Sequence, residues 1–252
     1  MPLPSLSPVS FVGAGPGAAA HLTLGAYRAL QDAQIVIHDR LVGAEILALI
    51  PETARLIDVG KEGFGASTTQ PDINAILVAQ ALTGAKVVRL KGGDCGIFGR
   101  LDEEMDALDA QNLPFRILPG LTAAAVAAAN IGQSLTRRGR NASLRIVTGH
   151  DMAGFAEQDW RGLARTGEVA AIYMGKKSAR FIQGRLMMHG ANPETPVTLV
   201  ENVSRADQRI IAATIATLPQ AVTTLSGPAV ILLGLAPRGA IAAINDLREV
   251  TA

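Results

Sequence analysis

The feature that most constrains the fold is an alternation, in the first half of the chain, between short runs rich in β-branched residues and longer segments whose apolar residues recur every three or four positions. This alternation is typical of βα units, in which helices cover a sheet of parallel strands. Thr23 is a suitable N-cap for the first helix, and Pro71 suits the first position of a later helix. The strands are expected at residues 9–12, 35–38, 55–59, 86–90 and 116–118.

The second half predicts a sheet of a different kind. Its strands are expected at residues 143–148, 168–173, 196–201, 209–213 and 229–233. The third and fourth of these strands are joined by too few residues for a crossover helix, so we expect them to pair antiparallel. The sequence therefore predicts two α/β domains, residues 1–125 with a parallel sheet and residues 126–252 with a mixed sheet.

Composition and charge narrow the classes of partner. With 48% hydrophobic and 18% charged residues, the chain is expected to bury a core. The formal net charge of +1 predicts no nucleic-acid partner, and the longest apolar run, residues 123–129, is too short for a membrane span. The single cysteine, Cys95, and four histidines without ligand spacing predict neither a disulfide nor a metal site. With no secretory signal in residues 1–10, a cytoplasmic location is the expectation.

Each predicted strand of the first half ends in glycine, proline or a polar side chain. The carboxyl ends of parallel strands lie along one edge of a sheet, where ligands bind, so we expect a site at this edge. GAGPG is not the GxGxxG spacing of dinucleotide sites and lacks the lysine and hydroxyl of a P-loop, so a purely structural turn stays open as its explanation. The strand-end motifs are GAGPG at 13–17, DR at 39–40, GK at 60–61, GGD at 92–94 and PGLT at 119–122.

Eight short motifs follow one another between Val12 and Gly175. They are VGAGPG with LT at 12–23, DRLV at 39–42, VGK at 59–61, VVRLKGGD with IFGR at 87–100, PGLTAA at 119–124, LTRRG at 135–139, VTGH at 147–150 and YMG at 173–175. In this order they resemble the tetrapyrrole methyltransferases, with the best match among the uroporphyrinogen-III C-methyltransferases, and the resemblance extends from about Val9 to Leu235.

The resemblance implies an enzyme with S-adenosylmethionine (SAM) held in the cleft between two α/β domains, usually as a homodimer. It implies a small tetrapyrrole substrate, uroporphyrinogen III, methylated at two ring carbons to give precorrin-2 for sirohaem or cobalamin biosynthesis. The matching SAM contacts are Pro16, Gly92, Gly93, Asp94, Ile97, Thr122, Ala123 and Met174. The matching catalytic positions are Asp39 and Lys61, for proton transfer, with Arg100 and Glu103. Arg138 and Arg100 match positions that bind the substrate.

The residue types suit this chemistry. Methyl transfer from a sulfonium needs alignment of the two reactants rather than a metal or a covalent intermediate. A carboxylate such as Asp39 or Glu103 could stabilise positive charge on the ring or take its proton, and arginines bind carboxylates in bidentate fashion. Each candidate also has a structural explanation. Asp39 and Asp94 could cap helices, Glu103 and Glu104 could form a solvated helix face, and Met174 could fill the core.

Several positions depart from the pattern of the family. GGDCG stands at 92–96 where the family has GGDPF, and Arg137 stands where it has histidine in LTHR. These departures leave open a methyltransferase for a later precorrin, and also a member that binds tetrapyrrole or SAM without turnover. A nicotinamide-dependent oxidoreductase is a third alternative, based on GAGPG alone.

Overall fold

The computed structural model describes residues 7–60, 68–151 and 154–239. The chain forms two compact units, Met1–Ala123 and Ala124–Ala252. Each unit is built on its own five-stranded sheet. The expected fold class, two α/β domains with a parallel and a mixed sheet, is confirmed.

The first unit has a parallel sheet in the order β3-β2-β4-β1-β5. Its strands are β1 (Val9–Gly13), β2 (Ile35–His38), β3 (Arg55–Asp58), β4 (Val87–Lys91) and β5 (Phe115–Leu118). Its helices are α1 (Leu24–Gln31), α2 (Ala44–Leu47), α3 (Gln70–Ala81) and α4 (Leu101–Asp109), with a 3-10 turn at Ala19–His21. All five strands lie within two residues of the expected bounds.

Local signals set the helix starts in this unit. The Thr23 hydroxyl accepts a hydrogen bond from the Ala26 amide at 3.1 Å, so the predicted N-cap of α1 is confirmed. α3 begins one residue earlier than expected, because Thr69 and Asp72 form a capping box. Pro71 therefore takes the second helical position, and the prediction that it takes the first was wrong.

Alternation along each strand separates two apolar cores, one on each face of the parallel sheet. In β4, Val87 packs in a cluster with residues of α3 and α4 such as Leu77 and Leu108. Val88 and Leu90 face the other way and pack with residues of α1 and α2. The first unit is therefore a three-layer α/β/α arrangement.

The second unit has a mixed sheet in the order β11-β10-β12-β9-β6. Strands β6 and β9 pair parallel, and the other pairs are antiparallel, including the expected pair of β10 and β11. Its strands are β6 (Arg145–Thr148), β7 (His150–Asp151), β8 (Gly154–Phe155), β9 (Ala170–Tyr173), β10 (Pro196–Glu201), β11 (Arg209–Thr214) and β12 (Ala229–Leu233). Its helices are α5 (Ala123–Asn130), which begins at the boundary, α6 (Trp160–Leu163), α7 (Ala179–Met188) and α8 (Leu218–Ala221), with a 3-10 turn at Val222–Thr224. The hairpin of β7 and β8 was not predicted, because two-residue strands show no periodicity.

Three of the strand-end loops of the first unit touch through their backbones. Gly15 and Gly93 exchange two hydrogen bonds, from the Gly15 amide to the Gly93 carbonyl at 3.0 Å and in reverse at 2.8 Å. A Cβ atom at Gly120 would lie 2.4 Å from the Gly93 carbonyl oxygen and 2.7 Å from the Gly13 carbonyl carbon. Only glycine, which has no Cβ, allows this approach. The loops after β1, β4 and β5 can therefore converge because glycine stands at their points of contact.

The other two strand-end loops are joined in the same way. A Cβ atom at Gly43, in the loop after β2, would lie 2.6 Å from the Gly17 carbonyl oxygen. One at Gly60, after β3, would lie 2.6 Å from Cβ of Arg40. All five strand-end loops are therefore linked along one edge of the sheet, as the sequence predicts.

Replacing Gly120 by alanine should lower the free energy of unfolding by about 1 to 3 kcal/mol, because the added methyl meets backbone atoms that no rotamer change can move. Urea unfolding followed by circular dichroism would measure the change.

Gly184→Ala is the matched control. Gly184 lies inside α7 with no atom within 4 Å of an added Cβ, so this change should raise stability by about 0.5 to 1 kcal/mol. Equal unfolding midpoints for Gly120→Ala and the unmodified protein would contradict the close packing of the loops.

Candidate active site

Asp94 joins the GGD loop to the loop after β5. Its Oδ2 accepts a hydrogen bond from the Gly120 amide at 3.0 Å, and its Oδ1 accepts one from the Gly96 amide at 2.9 Å. The residue at the N-cap of α4 is Arg100, so the explanation of Asp94 as a helix cap is wrong. A carboxylate offers about four acceptor positions, so Asp94 keeps capacity for a ligand.

Gly93, another predicted SAM contact in this loop, offers accessible surface rather than a free hydrogen-bond donor. Gly93 has φ +72° and no atom within 4 Å of an added Cβ, so a ligand can approach its backbone. Its amide and carbonyl are already used by Gly15. Pro16, Gly92 and Ile97 are half-buried.

Apolar side chains stand exposed on three of the same loops. Leu41, after β2, is 54% exposed, Phe98, after β4, is 43% exposed, and Leu121, after β5, is 41% exposed. Sequence reasoning did not single them out, since isolated apolar residues in loops carry no periodic signal. Together they provide surface that a planar or apolar ligand could cover.

Beside this edge lies a buried cluster of charges. Arg89 of β4 is 1% exposed and Glu104 of α4 is fully buried. The Arg89 guanidinium donates from Nε to Glu104 Oε2 and from Nη2 to Glu104 Oε1, both at 3.0 Å. Lys91 Nζ donates to Glu104 Oε1 at 2.6 Å. A bidentate pair of this kind fixes the guanidinium in one orientation.

The cluster extends to Asp39, which directly follows β2. Arg89 Nη2 donates to Asp39 Oδ1 at 2.6 Å, and the Asp39 side chain is 29% exposed. The residue at the N-cap of α2 is Gly43, so the explanation of Asp39 as a helix cap is also wrong. Asp39 is therefore a half-buried carboxylate held by a buried arginine at the edge of the sheet.

Charge and burial oppose each other at the two cations. Burial alone would lower the pKa of Arg89, but the Asp39 and Glu104 carboxylates outweigh it and raise that pKa. Burial, followed by the positive charge of Arg89, lowers the pKa of Lys91 despite the nearby Glu104 carboxylate. The carboxylates are thus what allows two cations to lie side by side in the core.

The expectation of a solvated helix face at Glu103 and Glu104 was wrong for Glu104. The signal that could have found it lies in β4, where Arg89 and Lys91 are two residues apart in an apolar run. Strand residues two apart share a face, so the spacing predicts two cations on one buried face. Such a pair requires a buried carboxylate.

Arg100 and Glu103 lie together at the start of α4. Arg100 Nε and Nη2 donate to the two carboxylate oxygens of Glu103, both at 2.7 Å, and each side chain is about half exposed. The hydrogen bonds raise the pKa of Arg100 and lower that of Glu103. Arg100 has φ +53°, which is uncommon for a residue with a side chain. Lys61, the other predicted proton-transfer residue, lies outside the described residues.

In the second unit, Met174 is 51% exposed with φ +53°, so the explanation of Met174 as core filler is wrong. Its neighbour Tyr173 ends β9 and accepts a hydrogen bond through its hydroxyl from the Ala124 amide, in the first turn of α5, at 2.9 Å. Thr122 and Ala123, which directly precede this amide, are half-buried.

The predicted substrate-binding arginine, Arg138, is exposed in the loop before β6. Asn141 organises this loop, because its amide group donates to the carbonyls of Leu135 and Ser143 at 3.0 and 2.7 Å. Arg140 is used inside the loop, where it donates to the Ser134 carbonyl at 2.7 Å. Arg138 remains at the surface of a structured loop.

The described residues give little support for thiol or metal chemistry. Cys95 is buried, and burial followed by the charge of Asp94 raises the pKa of its thiol, which does not favour a nucleophile. Over the described ranges, no three His, Cys, Asp or Glu side chains gather where they could hold a metal ion. The longest helix in those ranges, α3, has 12 residues, and none there could span a bilayer.

Comparison with known proteins gives a consistent result. A family model of the tetrapyrrole (corrin/porphyrin) methylases matches residues 8–219. Siroheme synthase 3 of Aeromonas hydrophila is 42% identical over 226 residues, which are 90% of this chain and 48% of that protein. A siroheme synthase of Neisseria meningitidis serogroup C is also 42% identical, over 90% of this chain and 47% of its own length. The chain thus spans about half the length of the curated relatives it matches.

Solved structures resemble this chain over most of its length. The uroporphyrin-III C-methyl transferase of Thermus thermophilus, complexed with S-adenosylhomocysteine, superposes with a TM-score of 0.77 at 33% identity, covering 90% of this chain and 92% of that one. A cobalt precorrin-4 methyltransferase superposes with a TM-score of 0.80 at 23% identity, covering 90% and 94%. The second likeness bears on the fold alone.

The two neighbouring glutamates of α4 should differ sharply in their effect on stability. Glu104→Gln should lower the free energy of unfolding by about 3 to 5 kcal/mol, because it leaves Arg89 and Lys91 buried with less compensating charge. Glu103→Gln removes only an exposed pair and should cost about 1 kcal/mol or less. Urea unfolding of both variants tests this, and equal losses would contradict the role of Glu104 as a buried anchor.

Proposed function

This chain belongs to the tetrapyrrole (corrin/porphyrin) methylases, and we propose that it transfers methyl groups from SAM to two ring carbons of uroporphyrinogen III, giving precorrin-2. The observation that carries the proposal is the glycine-mediated convergence of five strand-end loops, with the GGD loop and the Asp39 carboxylate on one edge of the sheet. The likeness to the Thermus thermophilus enzyme supports the choice of substrate.

The residues described fit SAM, which combines an amino acid, a ribose, an adenine and a sulfonium. Gly93 allows close approach of the ligand, and Ile97 offers partly exposed apolar surface. Asp94 has acceptor capacity left for a hydroxyl or an ammonium group. In the second unit, Met174 presents an exposed thioether side chain that a ligand could bury. We assign SAM binding to these residues together with Pro16, Gly92, Thr122 and Ala123.

SAM, when bound, supplies an electrophilic methyl group on a good leaving group, so the protein has mainly to align the reactants. Attack by a ring carbon leaves positive charge on the tetrapyrrole until a proton is lost. Asp39 has one oxygen held by Arg89, and we assign its second oxygen to stabilising that charge and taking the proton.

The substrate carries eight carboxylate arms, which suits arginine. Arg138 is exposed and can pair with one of them. Arg100 already pairs with Glu103, so a substrate carboxylate would compete with Glu103 for the same guanidinium. We assign these two arginines to binding the substrate, and Glu103 to setting the orientation of Arg100.

The direct test is anaerobic incubation of the protein with SAM and uroporphyrinogen III, followed by mass analysis. We expect two added methyl groups and two molecules of S-adenosylhomocysteine for each product. Asp39→Asn should bind SAM and lower the rate by at least about a hundredfold, as expected for loss of a general base.

Other results would refute this substrate. Methylation of a later precorrin, but not of uroporphyrinogen III, would move the chain to another step of the family. Binding of SAM without any S-adenosylhomocysteine formed from either substrate would indicate a member that no longer turns over.

The role of Met174 can be tested by titration calorimetry with S-adenosylhomocysteine. Met174→Ala should weaken binding about five- to tenfold, because a ligand could bury about half of this side chain. Met188→Ala is the matched control, since Met188 is an exposed methionine on α7 that belongs to none of the motifs. Equal affinity for both variants would remove Met174 from the site.

A further inference from the structure

The buried charges of the first unit need an explanation beyond stability. Arg89, Lys91 and Glu104 are 1%, 4% and 0% exposed. Removing three ions from water is unfavourable, and apolar residues of similar size often stabilise a core equally well or better. This cluster lies at the end of a strand, beside the loop that carries Asp39, the carboxylate assigned above to proton transfer. Its position therefore points to a role in the site.

The Arg89 guanidinium is held on every side. Nε and Nη2 donate to the two oxygens of Glu104, and Nη1 donates to the Leu90 carbonyl at 3.3 Å. Only Nη2 also reaches outward, to Asp39 Oδ1 at 2.6 Å. Because the guanidinium is planar, fixing Nε and Nη1 also fixes the direction of the bond to Asp39.

Glu104 is itself anchored from two elements. Lys91 of β4 donates to its Oε1 at 2.6 Å, and Gln70 of α3 donates to the same oxygen at 3.4 Å. Gln70 also donates to Asn74 at 2.9 Å, and Asn74 donates to the Glu103 carbonyl at 3.0 Å, which ties α3 to α4. The carboxylate of Glu104 is thus a fixed point to which Arg89 is attached.

The charges of the buried cluster balance only when Asp39 is included. Arg89 and Lys91 bring two positive charges, and Glu104 brings one negative charge. The remaining positive charge meets the Asp39 carboxylate, which is the partly exposed member of the cluster. The three buried residues therefore form a site of net positive charge that binds one carboxylate at the edge of the sheet.

We propose, on the basis of the function proposed above, that Arg89 locked by Glu104 is a positioning device for Asp39. The device holds Oδ1 of the carboxylate and leaves Oδ2 for the substrate. Arg89 and Glu104 do not touch the substrate in this proposal. They act on turnover only through the orientation of Asp39, which must be set closely for proton transfer.

A double-mutant cycle on kcat tests the proposal. Arg89→Lys keeps the charge but loses the planar fork, so it should lower kcat about tenfold or more. The KM for the substrate and the Kd for SAM should stay within about threefold. In the Asp39→Asn background, Arg89→Lys should change kcat by less than about twofold, because the carboxylate to be positioned is gone.

Two further variants complete the design. Glu104→Gln should show the same pattern, a loss of kcat that disappears in the Asp39→Asn background. Arg209→Lys is the matched control, because Arg209 also pairs with a buried carboxylate, Glu201, but in the second unit. It should leave kcat unchanged. If the turnover of Asp39→Asn is too slow for steady-state assay, the cycle is measured under single-turnover conditions with the protein in excess over the substrate.

The outcomes are distinct. The proposal would be overturned if the Arg89 or Glu104 change lowered kcat by the same factor in the Asp39→Asn background as in the unmodified protein. That result would show that Arg89 and Glu104 act independently of Asp39. Loss of folding in both Arg89→Lys and Glu104→Gln, seen by circular dichroism, would overturn it too and assign the pair to the core. An unmodified protein that does not methylate uroporphyrinogen III would instead overturn the proposed function.

Discussion

The site depends on backbone atoms that approach more closely than any side chain would allow. Gly13 ends β1, and Gly93 and Gly120 lie in the loops after β4 and β5. An added Cβ at Gly13 or Gly120 would meet the backbone of the other two. Once these loops touch, the Asp94 carboxylate can accept the Gly120 amide at 3.0 Å and close the arrangement. The candidate ligand surface thus rests on rigid backbone at the ends of buried strands.

A second constraint acts through charge. A parallel strand buried on both faces should be apolar throughout, yet β4 carries Arg89 and Lys91 on one face. These cations require a carboxylate inside the core, so α4 must place Glu104 against the sheet. The orientation of α4 about its own axis is therefore set by the polar contact of Glu104 as well as by its apolar residues. In this orientation Glu103 lies at the surface beside Arg100.

The sequence was sufficient for the features that depend on local periodicity. Ten strands lie within two residues of their expected bounds, because alternating burial leaves a clear pattern in chains of four to six residues. The prediction that the strand-end motifs lie along one edge of the sheet also followed from topology alone. The burial of Glu104, the exposure of Met174 and the hairpin of β7 and β8 did not follow. The burial of Glu104 depends on contacts with β4, which lies outside the short stretch of sequence that forms α4. The two-residue strands β7 and β8 are too short to leave a periodic pattern.

One departure from the family pattern, GGDCG at 92–96, lies in a turn that its own hydrogen bonds close. Gly96 is exposed, yet the turn that follows Asp94 is closed by the bond from the Gly96 amide to Asp94 Oδ1 and by one from the Ile97 amide to the Asp94 carbonyl at 3.2 Å. Cys95 is buried and contacts the core. A turn closed by these bonds does not require the proline and the aromatic residue of the usual motif. The altered residues therefore bear on what meets the exposed surface of the loop, such as Phe98, rather than on whether the loop forms.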